Sequence, residues 1–176
     1  LVNGLIARGS DPGPRLAGQH PFWSPYAQRR QLFANGGDGR FMDISEDNPA
    51  FCRDAAVGRG LACGDVDNDG ALDLLVMNTG APAQLFRNTR SKQGHWLAIR
   101  AMDPARGSRD AYGAEVTVEA AGRRWWRLVQ PGYSFLVSND PRVHFGLGNV
   151  AQVDRIHVVW PDGTEENFPG GPVDRY

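Results

Sequence analysis

The sequence predicts an all-β protein in two parts, and three observations carry the prediction. Gly 22 and Pro 12 among 176 residues make a turn-rich chain with few Ala- or Leu-rich stretches. From His95 onward, apolar and polar residues alternate with period two through a series of short segments. Between these extremes lies an Asp-rich loop, residues 65–73, whose flanks suit strands and not helices.

Taken in order, Leu1-Val2-Asn3-Gly4 reads as the end of a strand, similar to Val76-Met77-Asn78 further on. Gln31-Leu32-Phe33-Ala34-Asn35 likewise matches Gln84-Leu85-Phe86-Arg87-Asn88. Parts of two copies of one unit are the internal-repeat signature of a propeller. Residues 5–30 interrupt the repeat, and their prolines, among them Pro12, Pro14, Pro21 and Pro25, oppose regular structure. Phe22, Trp23 and Tyr26 are expected to anchor this insertion, with a ligand surface as the alternative. Gly36 to Phe41 reads as a hairpin turn of type I′ centred on Asp38-Gly39, followed by a strand at 42–45. Asp38 and Asp43 are read as solvated turn acids, and residues 46–57 as a loop.

The loop Asp65-Val66-Asp67-Asn68-Asp69-Gly70-Ala71-Leu72-Asp73 places aspartates at its positions 1, 3, 5 and 9. Two unit charges about 4 Å apart repel by about 4 kcal/mol at an effective dielectric of about 20, so such a loop calls for a cation. Only oxygen donors are offered, which selects a hard ion and favours Ca²⁺ over Mg²⁺. The expected ligands are the side chains of Asp65, Asp67, Asp69 and Asp73 and the backbone carbonyl of Ala71, with Gly70 supplying the sharp turn. An EF-hand is excluded, because position 12 is Val76 where a Glu is required. The preceding stretch 58–64 is too Gly-rich for a helix, and Leu74-Leu75-Val76-Met77 reads as a buried strand. A solvated acidic turn without metal is the alternative. Gly58-x-Gly60-x-x-x-Gly64 has the wrong spacing for a dinucleotide fingerprint, and no helix follows it.

In the second part the strand candidates are 95–102, 114–121, 123–130, 134–138, 142–145, 153–160 and 164–168. Turns fall at Gly122, Pro131-Gly132, Asn139-Asp140-Pro141 and Asp162-Gly163. So many short strands in about eighty residues suggest a sandwich or a barrel-like sheet. The expected domains are 1–90, a truncated repeat region, and 95–176, joined by a linker at 89–94.

The stretch Gly58 to Asn88 resembles the calcium loop of FG-GAP (VCBS-type) repeats, the blades of integrin-α-like β-propellers. Cys63 departs from that pattern, where a bulky apolar residue is expected. The second part resembles the ASPIC/UnbV domain over about 95–168. The stretches that carry it are His95-Trp96-Leu97, Ser108 to Ala114, Gly132-Tyr133-Ser134-Phe135-Leu136, Asp140 to Gly148 and Trp160-Pro161-Asp162-Gly163. The resemblance implies a partial propeller followed by a β-sandwich-like domain, calcium as the bound ion, and a secreted or extracytoplasmic protein with upstream blades, of which this chain is a C-terminal fragment. It brings no established catalytic residue.

Composition narrows the function further. A net charge of −1 supplies no global field for nucleic acid or anionic membranes. No apolar run is long enough to span a bilayer, and Leu1-Val2-Asn3-Gly4 lacks the features of a signal peptide. Cys52 and Cys63 allow either a disulfide or free thiols and make no zinc site. His20, His95, His144 and His157 show no ligand spacing, His144 and His157 lie within strand patterns and read as satisfied structural residues, and no nucleophile motif appears. In Arg123-Arg124-Trp125-Trp126-Arg127 the strand period puts Arg123, Trp125 and Arg127 on one side, which opposes nucleic-acid binding. One tryptophan belongs to the core, and an exposed one is free to stack on a sugar ring.

The reading is a non-enzymatic, calcium-stabilised binding or adhesion module whose partner is a protein or a glycan. The alternatives are a small-molecule enzyme or accessory protein of the enediyne-biosynthesis type, and a glycan-binding module that uses Trp125 or the Phe22, Trp23 and Tyr26 insertion. Arg109, Asp110, Trp125, Tyr133 and His144 form the candidate ligand surface.

Overall fold

The computed structural model describes residues 22–89 and 94–176, and it is all-β. The expectations placed on residues 1–21 and 90–93 lie outside the described residues. The chain forms two compact units. Among the described residues, the first comprises 22–62, 74–87 and 134–137, and the second comprises 63–73, 88–89, 94–133 and 138–176.

In the first unit, a short 3₁₀ turn at Ser24–Tyr26 leads into strand β1, Gln28–Arg29. Strands β2 (Phe33–Asn35) and β3 (Phe41–Asp43) pair antiparallel, with Asn35 opposite Phe41. The connection between them is therefore five residues long. Its two positive-φ positions, Gly37 and Gly39, are separated by Asp38, so it is not the two-residue type I′ turn expected from Asp-Gly. Residues 46–57 are not wholly loop. Pro49–Cys52 forms one helical turn, α1, and Ala55–Ala56 forms β4, which pairs with β1. Proline at the start of the turn fixes a helical φ and loses no bond there. Asp38 and Asp43 bond their own turns, accepting from the amides of Arg40 and Ser45 respectively.

Strands β5 (Gly58–Gly64), β6 (Asp73–Asn78) and β7 (Gln84–Phe86) make a three-stranded sheet in that order. The Asp-rich loop thus joins two neighbouring strands, as its flanks predict. Val76 is fully buried and packs with Phe51 and Cys52, with Leu32, Leu61, Leu74 and Phe86 around them. Arg30 is buried in the same unit, and burial pushes its guanidinium below its usual range. It donates to Phe51 O and Gln84 Oε1 and lies over the rings of Phe51 and Phe86. The Trp23 indole rests directly on Gly80, while Phe22 stays exposed.

Residues 134–138 are not a strand. Phe135 and Leu136 are exposed, Leu136 has a positive φ, and Ser134 Oγ accepts from the Leu61 amide. The alternation there marks a segment laid across β5.

The second unit contains β8 (His95–Ile99), β9 (Met102–Asp103), β10 (Arg109–Asp110), β11 (Glu115–Ala120), β12 (Arg123–Leu128), β13 (Val143–Gly148), β14 (Gln152–Val159) and β15 (Glu165–Pro172). Four of them form an antiparallel sheet in the order β12-β11-β14-β15, β13 pairs with β8, and β9 pairs with β10. The core gathers Val116, Val118 and Val158 from the larger sheet with Leu97, Phe145 and Leu147 from the smaller. Along β11 the buried Val116 and Val118 alternate with Glu115, Thr117 and Glu119, as a half-buried sheet requires, whereas on β8 the consecutive Trp96, Leu97 and Ala98 are all buried.

Gly60 shows how tightly the first unit packs. A side chain there would bring its Cβ within 2.4 Å of Val137 Cγ1 and 3.0 Å of Phe135 O. Gly60→Val should therefore destabilise the protein by about 1–3 kcal/mol, read as a lower midpoint in urea unfolding at unchanged slope.

Candidate metal centre

The loop's acids are arranged by backbone amides. Asp65 and Asp73 are 5% and 2% exposed, so their charges must be met inside the protein. Asp65 Oδ1 accepts from the Asp69 amide at 3.1 Å, and Oδ2 accepts from the Gly70 amide at 2.8 Å. Asp73 Oδ2 accepts from Val66 at 3.1 Å, and Oδ1 accepts from Asn88 at 2.8 Å. Each carboxylate offers about four lone-pair positions, so two remain on each.

Asp65, Asp67 and Asp73 each place a carboxylate oxygen within 4.8 Å of the others, with Asp67 at the exposed edge. This cluster could hold a metal ion. The all-oxygen donor set fits a hard divalent cation. Of the other expected ligands, Asp69 is not among the three. Its Oδ1 accepts from the Ala71 amide at 2.8 Å and closes a local turn.

Within the second unit the loop is supported by residues far away in sequence. Arg142 donates from Nη1 to Asn68 Oδ1 at 2.6 Å and from Nη2 to the Asp65 carbonyl at 2.9 Å. Its other partner is Asp140, reached from Nε and Nη2, and its guanidinium lies over the Tyr176 ring. Burial alone would raise the Asp140 carboxyl, but the side-chain and backbone bonds from Arg142 outweigh it and hold it below the usual carboxylate range. Next to Arg142 on β13, His144 Nε2 lies 2.9 Å from the Gly70 carbonyl. Its ring stacks on Trp96, with centroids 5.9 Å apart and planes 6° from parallel. The Trp96 indole in turn lies against Gly70, where any Cβ would fall 2.1 Å from Nε1. The sequence assigns Gly70 to the turn, and its φ of +91° agrees, but the flat indole against it is a second and independent requirement.

Two residues of the candidate ligand surface come together. Tyr133 and His144 line one cavity of about 160 Å³, with Arg127, Asp140 and Arg142 also in its wall. That is below the roughly 300–1,000 Å³ of ordinary small-molecule sites. Arg109 and Asp110 sit on β10 and are not part of this wall. Asp110 is instead gripped by Arg100, with Nε 2.6 Å from Oδ1, so its partner is not the adjacent Arg109. Trp125 packs against the core, with Arg123 stacked on it at 4.7 Å. Both cysteines are free thiols, and burial pushes the Cys63 thiol up.

Residues 104–176 match the family described as ASPIC and UnbV. The chain is 32% identical to cartilage acidic protein 1 of Mus musculus over 111 residues, 60% of this chain and 17% of that protein. It is also 32% identical to the Homo sapiens protein and 33% identical to that of Xenopus tropicalis, each over 111 residues. The chain thus spans 16–17% of the length of the curated relatives it matches.

Two outcomes follow. Gly70→Ala combines a left-handed backbone with a clash against Trp96, and should cost about 2–4 kcal/mol in thermal or urea unfolding. Asp140 has a folded-state value below its unfolded value of about 3.9. Its contribution to stability is complete above about pH 4 and disappears as pH falls through the lower folded value. Asp140→Asn should therefore lower stability at neutral pH and flatten the acid limb of an unfolding-versus-pH curve.

Proposed function

We propose that this chain is part of a non-enzymatic binding module, stabilised by calcium and working outside the cytoplasm. The observation that carries it is the convergence of Asp65, Asp67 and Asp73 on one point, with the two buried carboxylates already oriented by four backbone amides. An ion there would be held by those three side chains. When bound, it would supply positive charge that offsets the crowding of the carboxylates. Calcium is favoured over magnesium because the donors are all oxygens spread along one loop and no near-ideal octahedral cage is built.

The likeness to cartilage acidic protein 1 supports the non-enzymatic and extracellular parts of this reading. The repeat-like pairs in the sequence support further blades in the same polypeptide. The binding partner is a protein or a glycan, and a net charge of −1 speaks against nucleic acid. The small-molecule alternative is disfavoured because Arg109 and Asp110 do not share the cavity of Tyr133 and His144.

A calcium titration followed by thermal unfolding tests the ion. An ion that binds only the folded loop adds RT ln(1 + [L]/Kd), about 2.7 kcal/mol at one hundred times Kd, or roughly 5–10 °C in melting temperature. EDTA should reverse the rise. Asp67→Ala should abolish it, because this substitution removes one of the three converging carboxylates. A melting curve indifferent to calcium, EDTA and this substitution rejects the proposal.

A further inference from the structure

The outward face of the four-stranded sheet has no role in the metal centre. Its composition is set by strand register. Thr117 on β11 lies opposite Trp126 on β12 and His157 on β14, and His157 lies opposite Asn167 on β15. These four residues form one row across the sheet, about 14 Å long at the usual strand spacing of about 4.8 Å. On one side of the row stand Arg124, Glu119 and Arg155, and on the other Glu115, Val159 and Glu165.

Trp126 is 52% exposed, although its neighbour Trp125 is packed inward. The ring is held in place. Its Nε1 donates to Glu115 Oε2 at 3.0 Å. The surrounding polar side chains are fixed in the same way. Arg155 donates to Glu119 Oε2 from Nε at 3.1 Å and from Nη2 at 2.7 Å. Arg124 lies 3.0 Å from Glu119 Oε1, and His157 lies 3.1 Å from Glu165 Oε2. A half-exposed indole therefore sits at one end of a row of polar residues whose charged flanks are held by ion pairs.

We infer that this face binds a neutral oligosaccharide, with Trp126 as its stacking platform. Three features select that class. The indole offers an apolar, electron-rich face that suits the C–H bonds of a pyranose ring. Sugar hydroxyls both donate and accept, and the row and its flanks present both kinds of partner in Asn167, Thr117, His157 and the Arg and Glu side chains. Two arginines are balanced by three glutamates on this face, so no excess positive charge exists to hold a polyanion. Side chains already fixed by ion pairs lose little further freedom on binding.

The test uses the whole chain and a panel of chitohexaose, cellohexaose and laminarihexaose, with heparin as the polyanionic arm. Binding is read by titration calorimetry and by tryptophan fluorescence. At least one neutral hexasaccharide should bind and perturb the emission. Trp126→Ala should weaken that binding by roughly tenfold or more, as loss of one stacking platform does, while the melting temperature stays unchanged. Asn167→Ala should weaken it less. The inference is overturned if no member of the neutral panel binds, if the bound sugar is held equally well by Trp126→Ala, or if heparin binds more tightly than every neutral probe.

Discussion

The second unit is organised by one constraint: buried carboxylates on the 65–73 loop must be satisfied without solvent. Backbone amides meet half of that need. Four of them, from Val66, Asp69, Gly70 and Asn88, point into Asp65 and Asp73 and hold the carboxylates facing Asp67. The loop's own carbonyls then need donors. Those of Asp65 and Gly70 face Arg142, immediately before β13, and His144 on it. A hydrogen bond to a charged group contributes about 1.5–3 kcal/mol, and an unmet buried polar group costs a similar amount. The loop, β13 and the Trp96 ring therefore stand or fall together within this unit.

Much of this was legible before any coordinates. The turn at Gly70 and the strand character of both flanks follow from local chemistry and are found in the structure, while of the four spaced aspartates Asp65, Asp67 and Asp73 converge and Asp69 does not. Arg142 and Trp96 as props of the loop were not legible. They act across sequence gaps of roughly seventy-five and twenty-five residues, and nothing in periodicity or spacing ties such positions together. His144 reads from its strand pattern as a satisfied structural residue, with the ligand surface as the alternative, and its contact with the Gly70 carbonyl agrees with the structural reading. Only the fold reveals which partner satisfies it.

The failures were equally local in origin. Residues 134–138 alternate like a strand, but Leu136 takes a left-handed backbone and Ser134 is drawn to the Leu61 amide. The Pro49–Cys52 turn was too short for a periodic signal. Strand parity separated Trp125 from Trp126 correctly, yet it could not say which one the core would take. The hydrophobic core around Val118, which faces Trp125, decided that. The outward position of Trp126 follows from the same pleat.

The distance in sequence between the loop and its supports also bears on how the chain is made. The bond from Arg142 to Asp65 spans 77 residues, and that from His144 to Gly70 spans 74. Contacts of such separation form late, because loop closure must be paid in entropy before they are gained. At about 5–20 residues per second, a ribosome leaves the aspartates without these supports for several seconds. During that interval the nascent acidic segment is a polyelectrolyte exposed to whatever cations and chaperones surround it, and its final shape waits on the arrival of β13.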